Sequence, residues 1–158
     1  MQAGASLTRV RPLRPNDAAT CDAIIASLPA WFGLQEGIDD CAAAVRSQPG
    51  LVCERNARVV GFLTITRPST ATAQISWLAV QADERGRGVG TALIERLVED
   101  LSHEPVRLLV VETLSDREDP GPEYAATRAF YLARGFSPAA ELQGYPDNPI
   151  QLLAKPIG

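Results

Sequence analysis

A mixed α/β fold in three layers, with a sheet between helices, is what this sequence predicts, on three observations. Residues 51–55, 59–66 and 73–80 are β-rich runs with short joins, the signature of an antiparallel meander. Residues 89–101 then carry an apolar stripe at helical spacing: Val89, Leu93, Ile94, Leu97, Val98 and Leu101, with Glu95, Arg96, Glu99 and Asp100 on the wet side. Residues 106–111 are nearly all apolar, as expected of a buried central strand parallel to the one before the helix. A length of 158 residues suits a single domain over residues 1–158.

The other elements follow in order. Residues 8–13 alternate weakly and read as an edge strand. Asn16 is placed to cap a helix whose Cys21, Ile24, Ile25 and Leu28 share a face, and Pro29 ends it. Trp31-Phe32-Gly33 forms an aromatic loop. A second helix is expected over 38–46, with Ile38, Cys41, Ala42 and Val45 on one side, stopped by Pro49-Gly50. Asn56-Ala57 breaks the first hairpin. Pro122 and Gly135 bracket a helix over 123–134, since proline suits the first helical turn and glycine the position past the last. Residues 136–142 and 150–155 close the sheet as two strands around the Tyr145-Pro146-Asp147-Asn148-Pro149 turn.

Composition narrows the function classes. Apolar residues at 46% and charged residues at 22% suit an ordinary globular protein. Fifteen basic against nineteen acidic residues provide no basic stripe, which argues against a nucleic-acid partner. No apolar run approaches the roughly 18 residues of a membrane span, so no membrane partner is expected. Met1–Ser6 lacks the basic-then-apolar order of a signal peptide. Cys21, Cys41 and Cys53 are odd in number and widely spaced, which predicts neither a disulfide framework nor zinc and makes a reducing cytoplasm the expected location. His103 is the one histidine, so a His-rich metal site is not expected; it and the cysteines read as structural or surface residues.

The segment Arg85-Gly86-Arg87-Gly88-Val89-Gly90-Thr91 follows a strand and opens a helix. Alternate glycines uncover backbone N–H groups, the helix terminus adds its dipole and open donors, and two arginines add charge. A phosphate or pyrophosphate is the natural guest. The spacing fails as a nucleotide P-loop, because Gly90 is followed by Thr91-Ala92 and the one lysine of the chain is Lys155. It fails as a dinucleotide fingerprint too, because Thr91 stands where the third glycine belongs.

What the loop does fit is R-x-x-G-x-G, from Arg85 through Gly88 to Gly90. Together with the preceding Trp77-Leu78-Ala79-Val80, it resembles the central motif of the GNAT superfamily of N-acetyltransferases. The run Ala126–Phe136, with Tyr131, Gly135 and Phe136, is similar to that family's second signature. The resemblance covers residues 7–156. It implies a mostly antiparallel mixed sheet with splayed central strands and acetyl-CoA as co-substrate. Ala82 departs from the proline usual before the loop, and Tyr124 from an asparagine usual at the start of the last helix.

By the same resemblance, Arg85, Gly86, Arg87, Gly88, Val89, Gly90 and Thr91 hold the cofactor's pyrophosphate, and Leu78, Ala79 and Val80 pair with its pantetheine arm. Tyr131 is then the acid that protonates the departing thiolate, and a packing role beside Phe130 is the other reading. A phenol of pKa near 10 can donate to a thiolate whose acid has pKa near 8.5. Glu112, at the expected end of the fifth strand, is a candidate base, acting directly or through water, or else a solvated carboxylate. Trp31, Phe32 and Trp77 are either an apolar acceptor wall or core aromatics. The acceptor is then an amine of a small molecule or peptide; a homodimer and a non-catalytic acyl-CoA-binding domain are also compatible. Between Glu112 and Glu123 lie five acidic residues against Arg117, so this segment carries the whole net charge of −4. It is either a solvated loop or a device that steers a cationic amine.

Overall fold

The computed structural model describes residues 7–116, 121–145 and 148–158. The elements in chain order are β1 (Thr8–Pro12), α1 (Ala18–Ala26), α2 (Gln35–Ser47), β2 (Gly50–Arg55), β3 (Arg58–Ser69), β4 (Thr72–Val80), α3 (Val89–Ser102), β5 (Leu108–Leu114), α4 (Pro122–Ala133), β6 (Ser137–Tyr145) and β7 (Asn148–Pro156). Short 3₁₀ turns at Pro15–Asp17 and Ala82–Glu84 precede α1 and α3. The strands form one seven-stranded sheet in the order β1-β2-β3-β4-β5-β7-β6. Pairings β1–β2, β2–β3, β5–β7 and β6–β7 are antiparallel, and β4–β5 is parallel. The mixed α/β class and its element order hold as expected.

Two compact units divide the chain: Met1–Ile65 with Trp77–Glu99, and Thr66–Ser76 with Asp100–Gly158. In the first, α1 packs on α2, and Cys21, Ile24, Ile25, Leu28, Cys41, Val45, Val52, Phe62 and Ala79 form a continuous core. Burial pushes the Cys21 and Cys41 thiols up to about 12, so both stay protonated and inert at neutral pH. In the second unit, Leu109, Val111, Tyr131, Phe136, Leu153 and Ile157 are buried. There α4 packs on β5, and the Arg128 guanidinium donates to the Leu114 carbonyl at 2.8 Å.

Local chemistry explains the punctuation. Asn56 and Ala57 both take left-handed φ, 52° and 66°, the twist that a two-residue hairpin loop demands. Gly135 sits just past α4 with φ 91°, where an L side chain is strained. Gly50 is required for a different reason: a Cβ there would fall on the Leu63 carbonyl oxygen of the neighbouring strand. Gly50→Ala therefore forces β2 away from β3. The expected cost is about 1–3 kcal/mol, read as a lowered midpoint in urea unfolding.

Four expectations are corrected. Asn16 does not cap α1. It lies inside the 3₁₀ turn, and the carboxylate of Asp17 does the local work by accepting the Arg14 N–H at 2.8 Å. The second helix is longer than 38–46 and begins at Gln35. The apolar run at 106–111 does not begin the fifth strand. Arg107 and Leu108 N–H groups both turn onto the Ala71 carbonyl, at 2.7 and 3.1 Å, and the strand starts only at Leu108. Its other end shifts accordingly: Glu112 lies within β5, opposite Leu152 of β7, and the strand runs on to Leu114.

Candidate active site

Within the first unit, β4 ends at Val80, and the Gln81 N–H donates back to the Val60 carbonyl at 2.8 Å. The chain then makes the Ala82–Glu84 turn and enters the glycine loop. Gly86 and Gly88 have φ 78° and 82°, and a Cβ at either would meet open space. Their requirement is therefore conformational rather than steric crowding. Ala92 N–H donates to the Gly88 carbonyl at 2.9 Å, which makes Gly88 the residue from which α3 starts. By helix geometry the N–H groups of Val89 and Gly90 then have no intrahelical acceptor. Val89 and Gly90 are buried, while residues 85–88 are exposed. Two exposed left-handed glycines leading into a helix N-terminus are a shape that can cradle an anion.

Neighbouring side chains shape this cradle. The Arg85 guanidinium lies over the Trp31 ring, 4.1 Å from its centroid. Phe32 is tilted against Trp77 with ring centroids 5.7 Å apart. All three aromatics are half-buried and pack against the first unit's core. The contact with the core fits their reading as core aromatics, and each keeps an exposed part. Leu78 and Val80 are half-buried and Ala79 is buried. Glu84, at the loop's entrance, forms a 2.8 Å ion pair with Arg55, while Arg87 stands 4.0 Å from the same carboxylate oxygen.

Three of these contacts have no signal in the local sequence. One is Arg85 on Trp31 and another is Arg55 on Glu84. The third explains the missing proline: the Ala82 N–H donates to Ser27 Oγ at 3.3 Å, tying the loop's first turn to the end of α1. Proline has no N–H to offer there.

In the second unit, Tyr131 is buried within α4, with Phe130 and Phe136 edge-on at 5.2 and 5.3 Å. Only 5% of it is exposed. Burial raises its pKa above the ordinary phenol value. Glu112 is exposed on β5. Beside it, Thr113 Oγ1 is buried without a hydrogen-bond partner among the described residues. Asp116 is exposed, and Ser115 Oγ donates to Glu141 at 2.8 Å. Arg117, Glu118 and Asp119 of the acidic segment lie outside the described residues. His103 is exposed near the end of α3. No helix among the described residues is long and apolar enough to cross a membrane.

A loop with two left-handed glycines between β4 and the N-terminus of α3 defines a domain shaped to receive an anionic group. A family model described as the acetyltransferase (GNAT) domain matches residues 47–138, and the chain belongs to that family. L-2,4-diaminobutyric acid acetyltransferase of Nocardia farcinica is 37% identical over 79 residues, a match covering 48% of this chain and 40% of the relative. The chain thus matches less than half the length of that curated relative. The ribosomal-protein-S18-alanine N-acetyltransferase of Escherichia coli shares the fold with a TM-score of 0.75 at 19% identity, over 96% of this chain and 95% of that one. Salmonella typhimurium yncA, solved with its cofactor acetyl-CoA, superposes with a TM-score of 0.72 at 18% identity, over 96% and 95% of the two chains.

Proposed function

We propose that this protein is an acetyl-CoA-dependent N-acetyltransferase that moves acetyl to an amine of a small molecule or peptide by direct attack. The observation that carries the reading is the 85–91 loop, with Gly86 and Gly88 in left-handed conformation at the mouth of α3 in a chain of this family. Its N–H groups and Arg85 and Arg87 would hold the pyrophosphate, with Leu78, Ala79 and Val80 alongside the pantetheine arm. The acceptor's free amine attacks the thioester carbonyl, the C–S bond breaks, and the nitrogen loses a proton to Glu112 or to water. Tyr131 gives its proton to the departing thiolate, and bulk solvent restores it. Trp31, Phe32 and Trp77 offer an apolar wall to the acceptor's carbon skeleton.

The test is CoA release with thiol detection, paired with mass spectrometry of the acceptor. The Nocardia relative's named substrate puts short diamines in the panel, and the E. coli structure's name puts peptides with N-terminal alanine there. The expected result is amine-dependent thiol release with an acceptor heavier by one acetyl group. Tight acetyl-CoA binding without turnover on any amine would instead mark a non-catalytic acyl-CoA-binding domain.

A further inference from the structure

We propose that Trp31 is a positioning residue for the acetyl-CoA phosphates, acting through Arg85; the inference rests on the acetyl-CoA reading above. The Arg85 guanidinium stacks over Trp31, 4.1 Å from the ring centroid. Such a cation–π contact draws on the delocalised charge of the guanidinium and leaves it N–H groups to donate to phosphate oxygens. A free arginine side chain loses rotamer freedom when it captures an anion. One already held on a platform has lost most of that freedom beforehand.

The platform is itself fixed. Trp31 is half-buried against the core of the first unit, and Phe32, next in sequence, is braced on Trp77. The charges around the loop also single out Arg85. Arg87 stands 4.0 Å from a Glu84 oxygen that Arg55 holds at 2.8 Å. Arg85 forms no ion pair among the described residues. Glu84, an anion one residue from the cradle, is thus offset by Arg55, and Arg85 keeps its charge for the ligand. Trp31 belongs to the segment between α1 and α2, so cofactor affinity is linked to that segment. Anything that moves Trp31 must weaken the phosphate grip, and cofactor binding must in turn hold Trp31 in place.

A double-mutant cycle on CoA binding, followed by calorimetry with no acceptor present, tests this. Trp31→Leu keeps apolar bulk against the core and removes the aromatic face, and is expected to raise the Kd for CoA about two- to fivefold. Trp31→Phe keeps a face and should stay within about twofold of the wild type. Arg85→Ala should lose affinity on its own, and the double variant Trp31→Leu/Arg85→Ala should bind no more weakly than Arg85→Ala alone. Additive losses, or a Trp31→Leu variant that binds like the wild type, would overturn the positioning role and leave the acetyl-CoA reading intact. A wild-type protein that does not bind CoA at all would overturn both.

Discussion

Tyr131→Phe is expected to lower kcat by about 100-fold while leaving the Kd for CoA within about twofold of the wild type. The substitution removes one oxygen from a ring that is 95% enclosed, and the edge contacts to Phe130 and Phe136 depend on the ring alone. Phenylalanine keeps the whole ring, so both edge contacts survive the substitution. A tyrosine kept only for packing should therefore be replaceable by phenylalanine at little cost. A tyrosine kept for its proton should not be.

The pH dependence separates the two roles further. Burial raises the Tyr131 pKa above the ordinary phenol value near 10, so the proton stays on through the neutral and mildly alkaline range. The kcat profile of the wild type should accordingly show no alkaline fall due to Tyr131 below about pH 10. An acid limb should remain, because the acceptor amine must be unprotonated to attack. The Phe variant should keep the acid limb and lose the amplitude. Stopped-flow thiol detection across pH 6 to 10 measures both, and unchanged turnover in Tyr131→Phe would remove this residue from the mechanism.

What could be read in advance was local. The hairpin at Asn56-Ala57, the bracketing of α4 by Pro122 and Gly135 and the helical stripe of α3 are each written in a few adjacent residues. The glycine loop belongs with them, because φ above zero and an exposed backbone leave a mark in residue type. The strand order was different. Nothing near β6 or β7 states that β7 lies between β5 and β6, since that pairing is decided by register across the sheet. The site divides in the same way. The loop was legible by motif, whereas Trp31 under Arg85, Arg55 against Glu84 and Ser27 under Ala82 join segments distant in sequence. Asn16 shows the complementary error: a good capping residue lay one position from the aspartate whose long-range partner decided the geometry.

That aspartate carries the second large effect. Asp17 accepts two hydrogen bonds from the Arg11 guanidinium, both at 2.9 Å, and one from the Arg14 N–H at 2.8 Å. Arg11 reaches Glu54 with its Nε, also at 2.9 Å, so one guanidinium ties β1, β2 and the turn into α1 together. Asp17 is only 6% exposed. Removing it leaves Arg11 largely enclosed with a single carboxylate and leaves the turn without its acceptor. Asp17→Ala is expected to cost about 3–5 kcal/mol, as for other broken buried pairs. At about 2–4 °C per kcal/mol for a chain of this size, Tm should fall by roughly 10 °C. The direction with pH follows from the Arg11 hydrogen bonds, which hold the Asp17 pKa below the ordinary carboxylate value near 3.8. A lowered folded pKa contributes stability that is complete above the unfolded value and disappears as pH falls through the folded one. The Tm gap between wild type and Asp17→Ala should therefore be constant from pH 8 to pH 5 and shrink below about pH 4. Thermal melts followed by circular dichroism at pH 7 and pH 3 check this. A gap equally wide at pH 3 would assign the stabilisation to the shape of the Asp17 turn rather than to its charge.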